Sequence, residues 1–291
     1  MVATTDIPFA QAQRLRFIES VVLWEGAIQR HRVREVFDIS ANHVSKDFQL
    51  YKVKFPGNLE YDQSAKEYRA GRRFKPALAS GKPDEYLALL QAHLESGSDI
   101  VLPALGSGAI AADIVPGPSA GVDRALLRDI VQAIRHHAGL RVTYASMSED
   151  VASERRLWPH ALAHSGFRWH VRAYDEIEQI FRDFVLSRIT ATVTIDESAP
   201  VSSSKDHEWH SFDTVDVVPH HRLSDHHKAI VAREFGMRDS KTGWVWSVRL
   251  RKCLIPYFLH RYRLDLDPAK TRIRIELRER ERVMRAYHFK A

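Results

Sequence analysis

The sequence has almost no cysteine, no long apolar run and no signal-like start, and each absence narrows what the protein can be. Its single cysteine, Cys253, excludes an internal disulfide and a thiolate-rich metal cage. No run of about eighteen apolar residues is present to span a membrane. The first six residues lack the basic start and apolar core of a signal peptide. We therefore expect a protein of the reducing cytoplasm.

Signatures of catalysis are also missing. The sequence contains no Gly-x-Ser-x-Gly, no Walker loop and no His-Glu-x-x-His. Asp225-His226-His227 matches the triplet of the DHH phosphoesterases, but the pattern predicts it in the first turn of a helix, where the helix dipole favours aspartate. His220-His221 has no carboxylate at ligand spacing beside it. The sequence thus predicts no enzyme, no metal and no cofactor.

Basic residues are abundant at the two ends of the chain. The net charge of the 291 residues is +6 and the pI is about 9.4, which suggests a polyanionic partner. Residues 11–75 carry a net charge of +5 and residues 249–291 a net charge of +8, whereas residues 141–196 are nearly neutral at −1. This charge distribution favours contact of a nucleic acid with the two basic ends of the chain.

Apolar spacing predicts three helices near the N-terminus, at 14–24, 29–37 and 41–52. Ser40 is a good N-cap for the third, which would bury Val44, Phe48 and Tyr51. A short turn between the second and third helices is typical of a helix-turn-helix. The residues that would then contact DNA are Ser40, Asn42, His43, Ser45, Lys46, Gln49, Lys52, Lys66 and Arg69.

Two candidate strands, 59–62 and 66–69, follow these helices and predict the wing of a winged helix. The alternative is a plain three-helix bundle with a polar outer face, because a lone helix-turn-helix pattern often misleads. The sequence predicts a connector at 76–120 that contains one helix, at 84–94. It also predicts a strongly amphipathic helix at 122–138.

The stretch from 141 to 195 predicts short strands. Apolar side chains alternate with polar ones, as at Val142/Tyr144 and Phe184/Leu186, which is the pattern of half-buried β-structure. Pro159 cannot donate to a ladder and is expected at a strand end or edge. Short strands at this spacing favour a small, strongly curved sheet or barrel. Trp169 and Phe184 are expected in its core.

This stretch resembles the WYL-domain transcription regulators. The matching positions, in order, are Tyr144, Arg156, Pro159, Trp169-His170-Val171, Ala173-Tyr174 and the span from Arg182 to Ile189. The naming triplet differs, with His170 for tyrosine and Val171 for leucine. The resemblance implies an N-terminal winged helix, a central Sm/SH3-like small β-barrel and a C-terminal extension for dimerisation or regulation.

The resemblance also implies a ligand-sensing pocket, whose donors and rings would suit a small anionic ligand, a nucleotide or a nucleic-acid end. The residues expected to line it are Tyr144, Ser146, Arg156, Trp169, His170, Arg182, Phe184 and Arg188. The alternative is a basic surface whose arginines bond to local carboxylates such as Asp175, Glu176 and Asp183.

The rest of the chain predicts a serine-rich linker at 196–208 and a small α+β domain. The predicted organisation is α+β and multidomain: a winged helix at 1–75, a connector at 76–120, a WYL domain at 121–198 and a C-terminal extension at 205–291.

We interpret the chain as a homodimeric transcriptional repressor that binds double-stranded DNA at an inverted-repeat operator. In this the chain is similar to the WYL regulators found with phage-defence systems such as BREX and CBASS. Two alternatives remain: a barrel that binds single-stranded DNA or RNA, and a metal-dependent phosphodiesterase.

Overall fold

The computed structural model describes residues 7–96, 111–117, 121–267 and 273–287. The chain divides into two compact units, 1–117 and 118–291, and each is described by itself. Within the described ranges, no helix combines the length and apolarity that crossing a membrane requires.

The N-terminal unit is a winged helix. Its elements are α1 (Phe9–Glu25), β1 (Ala27–Ile28), α2 (Arg30–Phe37), α3 (Ala41–Lys54), β2 (Leu59–Asp62), β3 (Glu67–Ala70) and α4 (Pro83–Ser96). The three strands form an antiparallel sheet in the order β1-β3-β2. The three predicted helices and the wing hairpin are confirmed, whereas the two-residue strand β1 was not predicted because it is too short to show a period.

A buried carboxylate ties this unit together. Glu19 of α1 is fully buried, and its Oε1 accepts the backbone N–H groups of Ala77, Leu78 and Ala79 at 2.9, 2.7 and 2.7 Å. Its Oε2 accepts the hydroxyl of Tyr51 from α3, and burial together with this bond raises the pKa of Tyr51. One side chain thus joins α1, α3 and the segment after the wing.

The C-terminal unit begins with one helix on a five-stranded sheet. The elements are α5 (Arg124–His136), β4 (Ala138–Tyr144), β5 (Ser153–His164), β6 (Trp169–Asp175), β7 (Ile180–Val185) and β8 (Ile189–Ser198). The sheet is antiparallel in the order β7-β6-β5-β4-β8. Asp123 caps α5, whose Leu126 and Ile130 are buried against the sheet. The expected closed barrel is not found, because β7 and β8 do not pair with each other in the described part of the chain.

Pro159 was expected at a strand end or edge, and it lies inside the central strand β5 at a point where that strand has a neighbour on one side only. The strand tolerates it because the register shifts between Pro159 and Ala161, and a bulge leaves a residue unpaired. The pairing of β5 with β4 ends at Leu157, so Pro159 has only β6 as a strand neighbour.

A second sheet completes the C-terminal unit. Its elements are α6 (His207–His210), β9 (Phe212–Pro219), α7 (Asp225–Glu234), β10 (Trp246–Arg251), α8 (Ile255–Arg261), β11 (Ile275–Leu277) and α9 (Arg280–Tyr287). The strand order is β10-β9-β11. These elements form the small α+β domain that the sequence predicts. The Asp225 triplet begins α7, as expected.

The predicted linker at 196–208 is partly wrong. β8 continues to Ser198, and Asp206 is only 2% exposed. Serine-rich composition indicated a loop, but composition does not reveal that an aspartate within it has a buried arginine as its partner.

Candidate DNA-binding helix and ligand cleft

Helix α3 has one buried and one open face. Val44, Phe48 and Tyr51 are buried in the core, as predicted. The predicted DNA contacts that are exposed on this helix are Asn42, His43, Lys46, Gln49 and Lys52. Ser45 is half-buried, so its hydroxyl is less available to a partner.

Ser40 serves as the N-cap of α3. Its Oγ accepts the backbone N–H of His43 at 3.3 Å and lies 3.1 Å from the Nδ1 of the same residue. The cap satisfies a backbone donor that the helix leaves free. Ser40 therefore orients the start of the helix and the ring of His43.

A buried ion pair that the sequence did not reveal fixes α3 against α1. Asp47, 1% exposed, accepts the Nε of Arg14 at 2.6 Å and the Nε2 of Gln11 at 2.8 Å. The partners lie more than thirty residues apart in the chain, which no local pattern shows.

The wing presents its two predicted contacts differently. Lys66 is exposed at the wing turn with a φ of 53°. Arg69 is also exposed, but it pairs with Glu67 at 2.8 Å and with Asp62 at 3.2 Å. The charge of Arg69 is thus balanced locally, and Lys66 is the freer cation.

A cleft of about 980 Å³ opens on the five-stranded sheet, and α8 supplies part of its wall. Six of the predicted ligand residues line it: Tyr144, Ser146, His170, Arg182, Phe184 and Arg188. The structure therefore brings together most of the residues that the family resemblance selected. Phe184 is buried and meets the ring of Tyr144 edge-on at 5.2 Å, so it belongs to both the core and the cleft wall.

Arg156 and Trp169 do not line the cleft. Arg156 pairs with Glu176 at 3.1 Å and with Glu197, and its guanidinium lies over the ring of Trp158. The alternative interpretation, bonding to local carboxylates, therefore holds for Arg156. Trp169 is 52% exposed beside His164, so the expectation that it is core is wrong. It is the first residue of β6 and is exposed there, whereas the six residues that follow it in the strand are all buried.

Four arginines that line the cleft make no ion pair with a carboxylate of the described residues: Arg168, Arg188, Arg261 and Arg263. Arg182 pairs with Glu178 at 3.3 Å, and Arg155 with Glu149 and Asp175, each at 2.9 Å. The cleft also contains Asp183, and its arginines outnumber its carboxylates. It is therefore an electropositive recess suited to an anion.

The sequence did not indicate Arg261, the last residue of α8, or Arg263, two residues beyond it, because both lie some ninety residues beyond the WYL-like triplet. Gly166 lies in the turn between β5 and β6. Its φ is +83°, and a Cβ there would lie 1.8 Å from a guanidinium nitrogen of Arg261. The turn between β5 and β6 thus needs glycine for its backbone and for the passage of this arginine.

His170 replaces the tyrosine of the family triplet and is 2% exposed. Burial, with the charge of Arg168, lowers the pKa of His170 to about 4. The imidazole is therefore neutral near pH 7. Its buried Nδ1 has no hydrogen-bond partner in the described part of the protein, and its ring lies 4.9 Å from that of Tyr257.

A buried charge network extends from the cleft wall towards α6. Arg172, 3% exposed, donates to the two carboxylate oxygens of Asp206 at 2.7 and 2.9 Å. Its third nitrogen lies 3.4 Å from Asp183, which also accepts the Tyr257 hydroxyl at 3.1 Å. Burial opposes ionisation of Asp206, but hydrogen bonds from Arg172 and His160 hold its pKa well below the ordinary value.

Cys253 lies near this network and is buried. Burial raises the pKa of its thiol to about 12. The buried thiol thus packs as a small apolar side chain.

Comparison with known families gives the class of protein first. A model of the BrxR transcriptional regulator winged helix-turn-helix domain matches residues 10–92, a WYL domain model matches 125–194, and a model of the BrxR C-terminal dimerization domain matches 213–283. This succession defines a WYL-class transcription regulator, and the resemblance seen in the sequence is confirmed.

Individual relatives give the family. The "DNA-binding transcriptional repressor CapW" of Stenotrophomonas maltophilia is 33% identical over 264 residues, which cover 90% of this chain and 86% of the relative. The CapW repressor of Pseudomonas aeruginosa is 32% identical over 290 residues, covering 94% and 91%. The chain therefore belongs to the CapW family. That membership agrees with the prediction of a regulator and not an enzyme.

Among solved structures, the proteasome accessory factor B/C of Arthrobacter aurescens is 16% identical to this chain with a TM-score of 0.28, and the match covers 95% of this chain and 47% of that one.

Proposed function

We propose that this protein is a homodimeric transcriptional repressor that inserts α3 into the major groove of an operator and responds to an anionic ligand in the cleft. The open polar face of α3 is the observation that carries the proposal. Relatives described as DNA-binding transcriptional repressors support it. The contacts we propose on α3 are Asn42, His43, Lys46, Gln49 and Lys52, with Lys66 and Arg69 reaching flanking phosphate.

Two copies of α3 would meet two half-sites. The match of residues 213–283 to a dimerization domain supports a two-fold dimer. A two-fold protein favours an inverted-repeat operator with half-sites one helical turn apart. The bundle alternative has less support, because a wing follows α3 and Lys66 stands free on it.

We expect Lys46→Ala to weaken operator binding by about tenfold, because each protomer loses a cation that contacts DNA. The slope of log affinity against log salt should fall by about two, one for each copy. Fluorescence anisotropy with DNA from the protein's own promoter region, across a salt series, measures both.

Lys241→Ala is the matched control, because Lys241 is exposed in the C-terminal unit and no role in DNA binding is proposed for it. If the Lys46 variant and the unchanged protein bound the operator with equal affinity, α3 would not be part of the DNA interface. Preference for single strands over promoter duplex would move the nucleic-acid contact to the cleft.

The cleft is proposed as the effector site. Four arginines without carboxylate partners and a neutral buried imidazole support an anionic ligand, such as a nucleotide or the end of a nucleic acid. Ligand would bias two dimer arrangements that differ in operator affinity, which is how one site acts on another.

We expect Arg188→Ala to weaken binding of a fluorescein-labelled pentathymidylate by about tenfold, the effect of losing one charge-assisted contact. Arg156→Ala is the control, since Arg156 is outside the cleft and already paired. Operator binding without the probe should be unchanged in both variants. If Arg156→Ala were as harmful as Arg188→Ala, the probe would bind elsewhere.

Four finer features belong to the same proposal. The five-stranded sheet is proposed as an opened form of an Sm/SH3-like barrel, supported by its bulges in β4 and β5. The boundaries 1–75, 76–120, 121–198 and 205–291 stay as proposed domains. A cytoplasmic setting and control of a phage-defence operon are proposed from the WYL resemblance.

A further inference from the structure

Two adjacent histidines and a glutamate converge where β9 ends. His220 and His221 directly follow β9, and Glu276 lies in β11. One ligand-type atom from each of the three lies within 4.8 Å of the others. The sequence had predicted no carboxylate beside this histidine pair, because Glu276 is 55 residues away along the chain.

Strand pairing places the glutamate there. Glu276 stands opposite Val218 in the ladder between β11 and β9, two residues before His220. The backbone N–H of His220 donates to the carbonyl of Arg274 at 2.8 Å. The backbone N–H of His221 donates to Oε1 of Glu276 at 2.8 Å. The three side chains are thus held by backbone bonds and not by a mobile loop.

The contacts within the cluster leave its charge unbalanced. In the described ranges, Glu276 has no lysine or arginine partner, and its ion-pair partners are the two imidazoles. The Nδ1 of His221 lies 2.9 Å from Oε2, whereas the Nε2 of His220 lies 3.9 Å from the same oxygen, beyond hydrogen-bond reach. A carboxylate facing two imidazoles is a ligand set that zinc prefers.

We propose that His220, His221 and Glu276 bind one Zn²⁺-class divalent ion, which joins the end of β9 to β11. Ligand atoms on tetrahedral zinc lie about 3.3 Å apart, given bonds of about 2.0–2.1 Å. The distances of 2.9 and 3.9 Å bracket that separation. The side chain of His221 is 64% exposed, which leaves water access to a fourth position.

One hydrogen bond competes with the ion. The Nδ1 of His220 accepts the backbone N–H of Arg222 at 3.2 Å, which places the ring proton on Nε2. Binding through Nε2 moves that proton to Nδ1 and releases the Arg222 amide. Because binding also needs unprotonated imidazoles, the affinity should decrease in acid.

The ion would act on stability and not on DNA contact. The cluster lies within residues 213–283, which match the dimerization domain model. Holding β11 to β9 stiffens an edge of that sheet. The inference is independent of the cleft and its effector.

Isothermal titration of the full-length, untagged and metal-stripped protein with ZnCl₂ tests the site. We expect one ion per protomer with a micromolar Kd, a raised Tm, and tetrahedral absorption bands when Co²⁺ replaces Zn²⁺. Glu276→Gln and His221→Ala should each weaken binding at least tenfold. The Glu276 variant reports on the carboxylate, and His221 is exposed enough that its replacement leaves the fold intact.

His226→Ala is the matched control, because His226 and His227 are also adjacent, with rings 5.7 Å apart, but lie outside this cluster. It should bind Zn²⁺ like the unchanged protein. The site would be ruled out by no saturable heat, or by equal affinity in the unchanged protein and the two cluster variants.

Discussion

Replacing Asp206 with alanine should lower the free energy of unfolding of the C-terminal unit by about 3–5 kcal/mol, the effect of breaking a buried ion pair from one side. Asp206 is the two-point partner of Arg172, and both are almost fully buried. Its removal leaves a guanidinium in the interior with only Asp183 and Glu208 nearby. Urea unfolding followed by tryptophan fluorescence measures the loss.

The pH dependence of the stability provides a second test of the same prediction. Because the folded-state pKa of Asp206 lies below its ordinary value, the carboxylate stabilises the fold fully above about pH 4 and progressively less as the pH falls. The difference between the unchanged protein and Asp206→Ala should therefore shrink in acid.

Asp225→Ala is the control, because that carboxylate is fully exposed and, among the described residues, its ion-pair partner is Lys228. It should lower the unfolding midpoint only slightly, because the interaction of this carboxylate with the dipole of α7 is screened by solvent. If Asp206→Ala behaved in the same way, Arg172 would have found water or another partner, and the network would not hold residues 206–210 to the sheet.

Glu19→Ala should destabilise the winged-helix unit by about 3–5 kcal/mol. The change removes the acceptor of three backbone N–H groups and of the Tyr51 hydroxyl, and each buried donor left unpaired costs about 1–3 kcal/mol. The estimate is below the simple sum because the N–H groups at 77–79 are only partly buried and water can reach them.

Operator binding and thermal unfolding should be measured on the same samples. We expect Glu19→Ala to lose operator binding at temperatures where the unchanged protein binds, because the winged-helix unit unfolds at a lower temperature without the bond between Tyr51 of α3 and Glu19 of α1. Glu35→Ala, an exposed change on α2, is the control. Retention of Tm and of operator binding in Glu19→Ala would show that the segment after the wing does not support α3.

Local patterns in the sequence were enough to find most elements. Capping by Ser40 and the apolar spacing of α3 predicted its start and its buried face. Alternation predicted the strands of the central sheet, and the order of strands and helices after residue 210 was also foreseen. These features depend on neighbours within a few residues, which is what a single sequence displays.

Long-range partners could not be predicted. Asp206 meets Arg172 from 34 residues away, and Glu276 meets His221 from 55 residues away. Pro159 lies within a central strand, but a bulge and the end of the β4–β5 pairing at Leu157 leave it with one strand neighbour, and such pairing is not visible in the sequence. Trp169 was expected in the core, but it is exposed at the start of β6, whose other residues are all buried.

The family resemblance selected eight residues, of which six line the cleft, whereas Arg156 and Trp169 do not. It could not supply Arg261, the last residue of α8, or Arg263, two residues beyond it, and both add to the positive charge of the cleft. The proposed effector site thus depends in part on cleft residues that lie outside the WYL motif.

The burial of Cys253 has a practical consequence for spectroscopy. With its pKa near 12, roughly one thiol in 100,000 is ionised at pH 7. Maleimide dyes react with the thiolate, so they should not label Cys253 in the folded protein. Because the chain has no other cysteine, a single cysteine introduced by Ser64→Cys at the exposed wing turn would carry the only fluorophore. Single-molecule distances between the two wings of a dimer could therefore be measured without first replacing the natural cysteine.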